Sequence, residues 1–81
     1  MPGGEIYERT IIVVQRDHTV LEAAKLMRQH RVCDLQVVEE CDGERIPLGI
    51  ITDHDLVVEI MAQELDHMVI TVGDVIDLHV L

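Results

Sequence analysis

Thr52 and Asp55, within the stretch Gly49-Ile50-Ile51-Thr52-Asp53-His54-Asp55, are the residues whose types and spacing best suit ligand chemistry. The stretch follows an aliphatic run and precedes an amphipathic segment, which places it where a strand meets the start of a helix. Amide groups and the positive end of the helix dipole at such a junction favour an anion. A carboxylate at the same place can bind vicinal hydroxyls, so the pattern fits a nucleotide.

The same residues also have a structural interpretation that needs no ligand. Thr52-x-x-Asp55 is a helix capping box with Asp in place of the usual Glu or Gln. Taken alone, these four residues favour the cap over the ligand site. Both interpretations stay open at this point.

The composition and the net charge of the chain exclude some classes of binding partner. Of the 81 residues, 48% are apolar, which indicates a folded aliphatic core, and Tyr7 is the one aromatic residue. The 16 acidic and 6 basic residues give a net charge of −10. That charge repels a phosphate backbone, and Tyr7 is the single aromatic ring on which a base could stack. We therefore expect no nucleic-acid partner.

The cysteines and the first residues of the sequence indicate the cellular compartment of the protein. The start of the sequence has neither a basic nor an apolar signal region, and the aliphatic run Ile11–Val14 is too short to cross a bilayer. Cys33 and Cys41 form no CxxC motif and are expected to be reduced thiols. These features predict a cytoplasmic protein with no membrane partner.

Hydrophobic patterning predicts the element order βαββα. Thr19-Val20-Leu21-Glu22 is a capping box that begins a helix, and Asp42-Gly43 is a strong signal for a hairpin turn. The predicted elements are a strand at 11–14, a helix from Thr19 to about His30, strands at 35–39 and 48–52, and an amphipathic helix at 53–64.

These elements predict an α/β (α+β) fold with a three-stranded mixed sheet. A helical crossover makes the first two strands parallel, and the hairpin adds the third strand antiparallel, with two helices on one face. In so short a chain, an aliphatic sheet or helix surface that stays uncovered is normally buried by another copy. We therefore expect a homodimer.

The C-terminal residues resemble the N-terminal ones. Residues 73–81 can be placed over residues 4–12 with matching glycine, acidic and aliphatic positions. This match predicts one domain over 1–81, with a core at about 6–70, followed at 71–81 by the start of a second, absent unit. The alternative is a C-terminal helical turn and strand that pack on the domain itself.

Taken in order, these motifs resemble the cystathionine-beta-synthase (CBS) domain family from about Ile6 to Val75. They are the capped Thr-x-x-x-Ala-Ala-x-x-Met helix, His30-Arg31-Val32 and the strand after it, the glycine turn, and Gly49-Ile50-Ile51-Thr52-x-x-Asp55. The resemblance implies a βαββα unit that occurs in tandem pairs packed sheet against sheet. It also implies a regulatory or sensor module that binds an adenosine-containing ligand in the cleft between paired units.

The resemblance assigns roles to individual residues. Asp55 matches the acid that binds ribose, and Thr52 matches the hydroxyl beside the phosphate. The residues that match the aliphatic or backbone positions around the adenine are Ile12, Val32 and Ile50, with Thr10 where the entering strand approaches the base.

Two departures from the family pattern bear on the ligand. His54, which is also a candidate ligand-binding residue, stands where many ligand-binding members have an arginine. A neutral imidazole cannot supply the bidentate charge of a guanidinium. Cys33-Asp34 replaces small residues, and an acid there repels phosphate. Adenosine-like or weakly charged ligands are therefore favoured over triphosphates, among candidates that include AMP, ADP, ATP and S-adenosylmethionine.

No metal site and no catalytic site is predicted. Asp53-His54-Asp55 and His30-x-x-Cys33 offer ligand atoms, but neither group reaches the four ligands of a structural zinc site. No base is positioned by the sequence beside Cys33 or Cys41. We expect neither enzymatic activity nor a resident cofactor. The alternatives to a sensor are a ligand-free association domain and a metal-responsive module.

Overall fold

A computed structural model of the chain describes residues 11–80. The elements in chain order are β1 (Val13–Gln15), α1 (Val20–His30), β2 (Asp34–Cys41), β3 (Glu44–Thr52), α2 (an α-helical turn, Asp53–Asp55, continued by the π-helix Leu56–Met61) and α3 (Val72–Val80). The two hairpin strands are longer than predicted, and β1 lies slightly later in the chain.

The sheet has the strand order β1-β2-β3, with β1 parallel to β2 and β2 antiparallel to β3. The predicted α+β fold with a mixed three-stranded sheet is therefore confirmed. The hairpin turns at Asp42 and Gly43, whose φ angles are 53° and 80°. Positive φ at both positions is the requirement of a type I′ turn, which explains why Asp-Gly was a strong signal.

The core lies between one face of the sheet and the helices. Val14 pairs with Val37 and Leu35 pairs with Ile51, and all four side chains are buried on this face. The helices contribute the buried residues Val20, Ala23, Met27, Ile60, Val72, Val75 and Ile76. Among residues 11–78, no polar or charged residue is buried.

Helix α1 begins with the predicted capping box. The Thr19 hydroxyl accepts a hydrogen bond from the Glu22 amide at 3.2 Å, and a Glu22 carboxylate oxygen accepts one from the Thr19 amide at 2.8 Å. The bond from the Thr19 backbone is the main reason that the pKa of Glu22 lies below its ordinary value. The charged form of Glu22 is thus favoured by folding.

We expect the Glu22→Gln variant to lose this acid-sensitive contribution while keeping the cap acceptor. A carboxyl whose pKa is lowered by folding stabilises the protein above its unfolded-state pKa, and this stabilisation disappears as the pH falls through the folded-state pKa. Urea unfolding should show the variant less stable than the parent at pH 7 and equally stable at pH 2.5. Glu39→Gln, at an exposed strand position, is the control. An equal difference at both pH values would contradict the prediction.

Helix α2 differs from the predicted α-helix over 53–64. The Ala62 amide donates to the Val57 carbonyl at 2.8 Å and the Leu65 amide donates to the Ile60 carbonyl at 3.0 Å, which is the i→i+5 pattern of a π-helix. The helix ends at Met61, earlier than expected. Ile60 is only 3% exposed, whereas its neighbour Met61 is 71% exposed. Only some of the apolar side chains of this helix are therefore buried.

Helix α3 packs on the same core. Val72, Val75 and Ile76 are buried in it, and a Cβ atom placed on Gly49 would lie 3.5 Å from Ile76 Cδ1. Gly73 allows the helix start to approach the β1–α1 loop, because a Cβ atom at this position would lie only 2.9 Å from the Arg16 carbonyl oxygen. The Gly73 amide donates to that carbonyl at 2.8 Å. The buried core thus extends past residue 70, its predicted end. Residues 4–10 of the N-terminal match lie outside the described part of the chain.

Candidate ligand site

The site residues predicted at the end of β3 lie on the sheet face opposite the core, which we call the outer face. Strand alternation directs Ile50 and Thr52 to this face, while Ile51 between them is buried. Ile50 is 57% exposed. Gln36 lies between Ile50 and Val13 in the strand register, so these three residues form one row across the outer face. The next row pairs Thr52 with Asp34.

Thr52 and Asp55 form a reciprocal capping box. The Asp55 amide donates to the Thr52 hydroxyl at 3.1 Å, and the Thr52 amide donates to an Asp55 carboxylate oxygen at 2.9 Å. The structural interpretation of this motif is therefore confirmed. The Thr52 hydroxyl accepts in this pair and retains its own hydrogen, which can be donated to a ligand.

The start of α2 is fixed to the sheet by the backbone. The Asp53 amide donates to the Cys33 carbonyl at 2.9 Å, which joins the first turn of α2 to the residue before β2. His54, in the same turn, is exposed. These contacts bring the loop before β2 and the helix start to one end of the outer face.

The other predicted site residues are not brought to this surface. Ile12 and Val32 are half-buried and pack against the core cluster, on the other side of the sheet from Ile50. The Ile12 carbonyl accepts from the Gln36 amide at 3.0 Å and is thus used by the sheet. Thr10 lies outside the described residues. The aliphatic side chains expected around an adenine are therefore divided between the two faces.

Gln36 was not predicted to lie beside the candidate site residues, and Asp34 was predicted only as a departure from the family pattern. Both lie in β2, and the strand register places them beside Ile50 and Thr52. The alternation of β2 shows which residues share a face, but it does not show which residues of β3 they meet.

The described residues contain no cluster that could bind a metal ion, and their two cysteines are not paired. Within 11–80, no three His, Cys, Asp or Glu side chains are placed to share a metal ion. Cys33 and Cys41 are both free and exposed. No helix of this part of the chain is long and apolar enough to span a membrane.

These features describe a small α+β unit in which one sheet face, with Ile50 exposed on it, adjoins the start of a helix. Residues 4–62 match the CBS domain family. The chain belongs to the CBS domain family, and proteins with CBS domains are commonly regulatory modules.

The chain is similar to one curated protein and to several solved structures. An uncharacterized protein of Methanopyrus kandleri, MK0525, is 37% identical over 60 residues, which cover 74% of this chain and 29% of that protein. A putative signal-transduction protein with CBS domains from Burkholderia ambifaria is 31% identical, with a TM-score of 0.68 over 83% of this chain and 46% of the other. Hypoxic Response Protein I, solved with two coordinated zinc ions, is 29% identical, with a TM-score of 0.69 over 82% and 51%. The chain thus spans about half or less of the length of these proteins.

Proposed function

We propose that this chain is a regulatory or sensor unit that binds an adenosine-containing ligand on its outer face, in a cleft completed by a second CBS unit. The observation that supports the proposal is the arrangement of Ile50, Thr52 and Asp55. An exposed aliphatic side chain, a hydroxyl and a carboxylate follow one another at the junction of β3 and α2. Membership of the CBS domain family makes this the expected place for a ligand.

Each of the three residues has a distinct chemical task in the proposal. Ile50 offers apolar surface for the base, which gains free energy when it leaves water. Asp55 offers its carboxylate to the ribose hydroxyls through charge-assisted hydrogen bonds. Thr52 donates to the part of the ligand attached to the ribose. A second unit over the outer face would exclude water from the base and strengthen these interactions.

We expect Asp55→Asn to lower the affinity for adenosine at least tenfold while costing at most about 1 kcal/mol of stability. Charge-assisted hydrogen bonds are each worth ~1.5–3 kcal/mol, and the amide cannot replace both, although it keeps the shape of the cap. Isothermal titration calorimetry with adenosine measures the affinity. Urea unfolding measures the stability.

The chain offers a matched control for this variant. Thr71 and Asp74 form the same reciprocal box at the start of α3, with hydrogen bonds of 3.0 and 3.1 Å. Asp74→Asn should therefore have a similar effect on stability and none on binding. Equal affinities for the parent and both variants would contradict a role for Asp55 in binding. If folded protein binds no adenosine, AMP, ATP or S-adenosylmethionine at millimolar concentration, the proposed function is wrong.

An apolar groove favours a second candidate function, that of an association domain. The groove lies between α1 and α2 and has a volume of about 250 Å³. Its lining residues are Val20, Leu21, Ala24, Leu56, Ile60, Met61 and His67. We propose that a second copy of this chain covers it, which gives the expected homodimer a defined surface.

Charge complementarity supports a second copy as the occupant. Helix α1 presents the basic residues Lys25 and Arg28, whereas α2 and the residues after it carry Glu59 and Glu64. In the two-fold pair that we propose, α1 of one protomer packs against α2 of its partner, with Lys25 and Arg28 facing the partner's acidic residues and Glu22 at the far end of α1. This arrangement lets a chain with a net charge of −10 associate with itself.

A further inference from the structure

We infer that Asp34 makes the proposed site selective for neutral or cationic adenosine derivatives and excludes phosphorylated ones. This inference rests on the proposed function, because it concerns what the same site accepts. It assigns a specificity-determining role to a single carboxylate that is placed by the strand register.

Asp34 is the first residue of β2, and its position is defined by its pairing with Thr52. Directly paired residues of antiparallel strands point to the same face, with their Cβ atoms ~4.5–5.5 Å apart. Leu35, the next residue, is buried against the core, so alternation directs Asp34 to the outer face. A phosphate that accepted a hydrogen bond from the Thr52 hydroxyl would therefore lie beside the Asp34 carboxylate.

No cation neutralises this carboxylate in the described part of the chain. Asp34 is half-buried, and no hydrogen bond or ion pair joins its side chain to another residue between 11 and 80. The ion pairs found there are Arg16 with Asp77 and Arg45 with Glu40. Arg31, the basic residue nearest to Asp34 in the sequence, is exposed and joins neither pair.

The consequence for a ligand follows from the sign of its charge. A phosphate monoester carries about −1.5 to −2 charges at pH 7, so it is repelled at this position. Partial burial reduces solvent screening and strengthens the repulsion. An uncharged adenosine escapes the repulsion, and a sulfonium such as that of S-adenosylmethionine is attracted.

The test is a calorimetric titration of four ligands into the full chain and two variants. The ligands are adenosine, AMP, ATP and S-adenosylmethionine, and the variants are Asp34→Asn and the control Asp17→Asn. Asp17 is an exposed residue after β1, and β1 runs antiparallel to β3, so it lies at the opposite end of the sheet from Thr52. The control removes the same charge away from the site. Circular dichroism checks the fold, and Asp34→Ser replaces Asp34→Asn if the latter does not fold.

We expect the parent chain to bind AMP and ATP at least about tenfold more weakly than adenosine. Asp34→Asn should raise the AMP affinity about tenfold, lower the affinity for S-adenosylmethionine, and leave adenosine unchanged. Asp17→Asn should change none of these affinities by more than about twofold, because solvent screens distant charges.

The possible failures are distinguishable. If the parent binds AMP as tightly as adenosine and Asp34→Asn changes neither, the role of Asp34 is wrong and the proposed function stands. If Asp34→Asn and Asp17→Asn raise the AMP affinity equally, net charge and not the position of Asp34 sets the selectivity, which also overturns the inference. If no ligand binds to folded protein, the proposed function is wrong and the inference falls with it.

Discussion

The Val75→Asp variant is expected to be unfolded at 25 °C. Val75 is 0% exposed and packs in the core with Val72 and Ile76 of the same helix. An unpaired charge buried there costs more than about 4 kcal/mol. The total stability expected for a domain of this length is ~4–12 kcal/mol, so a cost above about 4 kcal/mol exceeds the whole stability at the lower end of that range. Circular dichroism and a thermal melt measure the outcome.

The control for Val75→Asp is Leu78→Asp on the same helix. Leu78 is 52% exposed, so the same substitution there should lower stability by less than about 1 kcal/mol. The milder variant Val75→Ala should cost about 2 kcal/mol and keep the fold. If Val75→Asp melts at the same temperature as the parent, α3 does not belong to the packing of this unit in solution.

The Met61→Glu variant is expected to convert a homodimer into a monomer at tens of micromolar protein. Met61 lines the groove between α1 and α2 and is 71% exposed, so a charge at this position disrupts the paired surface without entering the core. Burial of the added carboxylate in an apolar interface is costly, which shifts the equilibrium strongly toward monomer. Sedimentation velocity measures the change.

Ile60 is not suitable for this test, because it is only 3% exposed and a charge there would unfold the monomer. Ile46→Glu is the matched control, since Ile46 is an exposed aliphatic residue on the hairpin, outside the groove. The control should remain dimeric. A parent chain that sediments as a monomer at about 50 µM, or a Met61→Glu variant that remains dimeric, would contradict an interface at the groove.

The local elements were predictable because their signals are short-range. The Thr19 capping box begins α1 as expected, and the Asp42-Gly43 turn forms the hairpin. The crossover between β1 and β2 then required parallel pairing, which the structure has. The capping box and the turn follow from interactions between residues that are close in sequence. The parallel pairing follows from the general rule for two strands joined by a helical crossover, so no individual distant contact had to be known.

The second helix was predicted less accurately. Its apolar spacing indicated an α-helix to Glu64, whereas the structure has a π-helix over Leu56–Met61. Amphipathic spacing identifies a helix but does not define its hydrogen-bond pattern over a few residues. The sequence also did not show which unit α3 packs against. The apolar pattern at the start of this helix is the same whether the helix packs on this unit or on another.

The sequence by itself determined the fold class, the capping box of Thr52 and Asp55, and the acidic character of the chain, because each depends on local pattern or composition. The tertiary structure decided which side chains meet. The two-residue turn pairs Cys41 with Glu44 and Val38 with Pro47, and continuing that register would place Asp34 opposite Ile51. An irregularity between Val37 and Val38 shifts the register by one residue, so Asp34 faces Thr52 instead. The extra residue of this bulge is Leu48, between Pro47 and Gly49. Proline and glycine within a strand indicate a bulge, but they do not specify which residues of the neighbouring strand face each other beyond it.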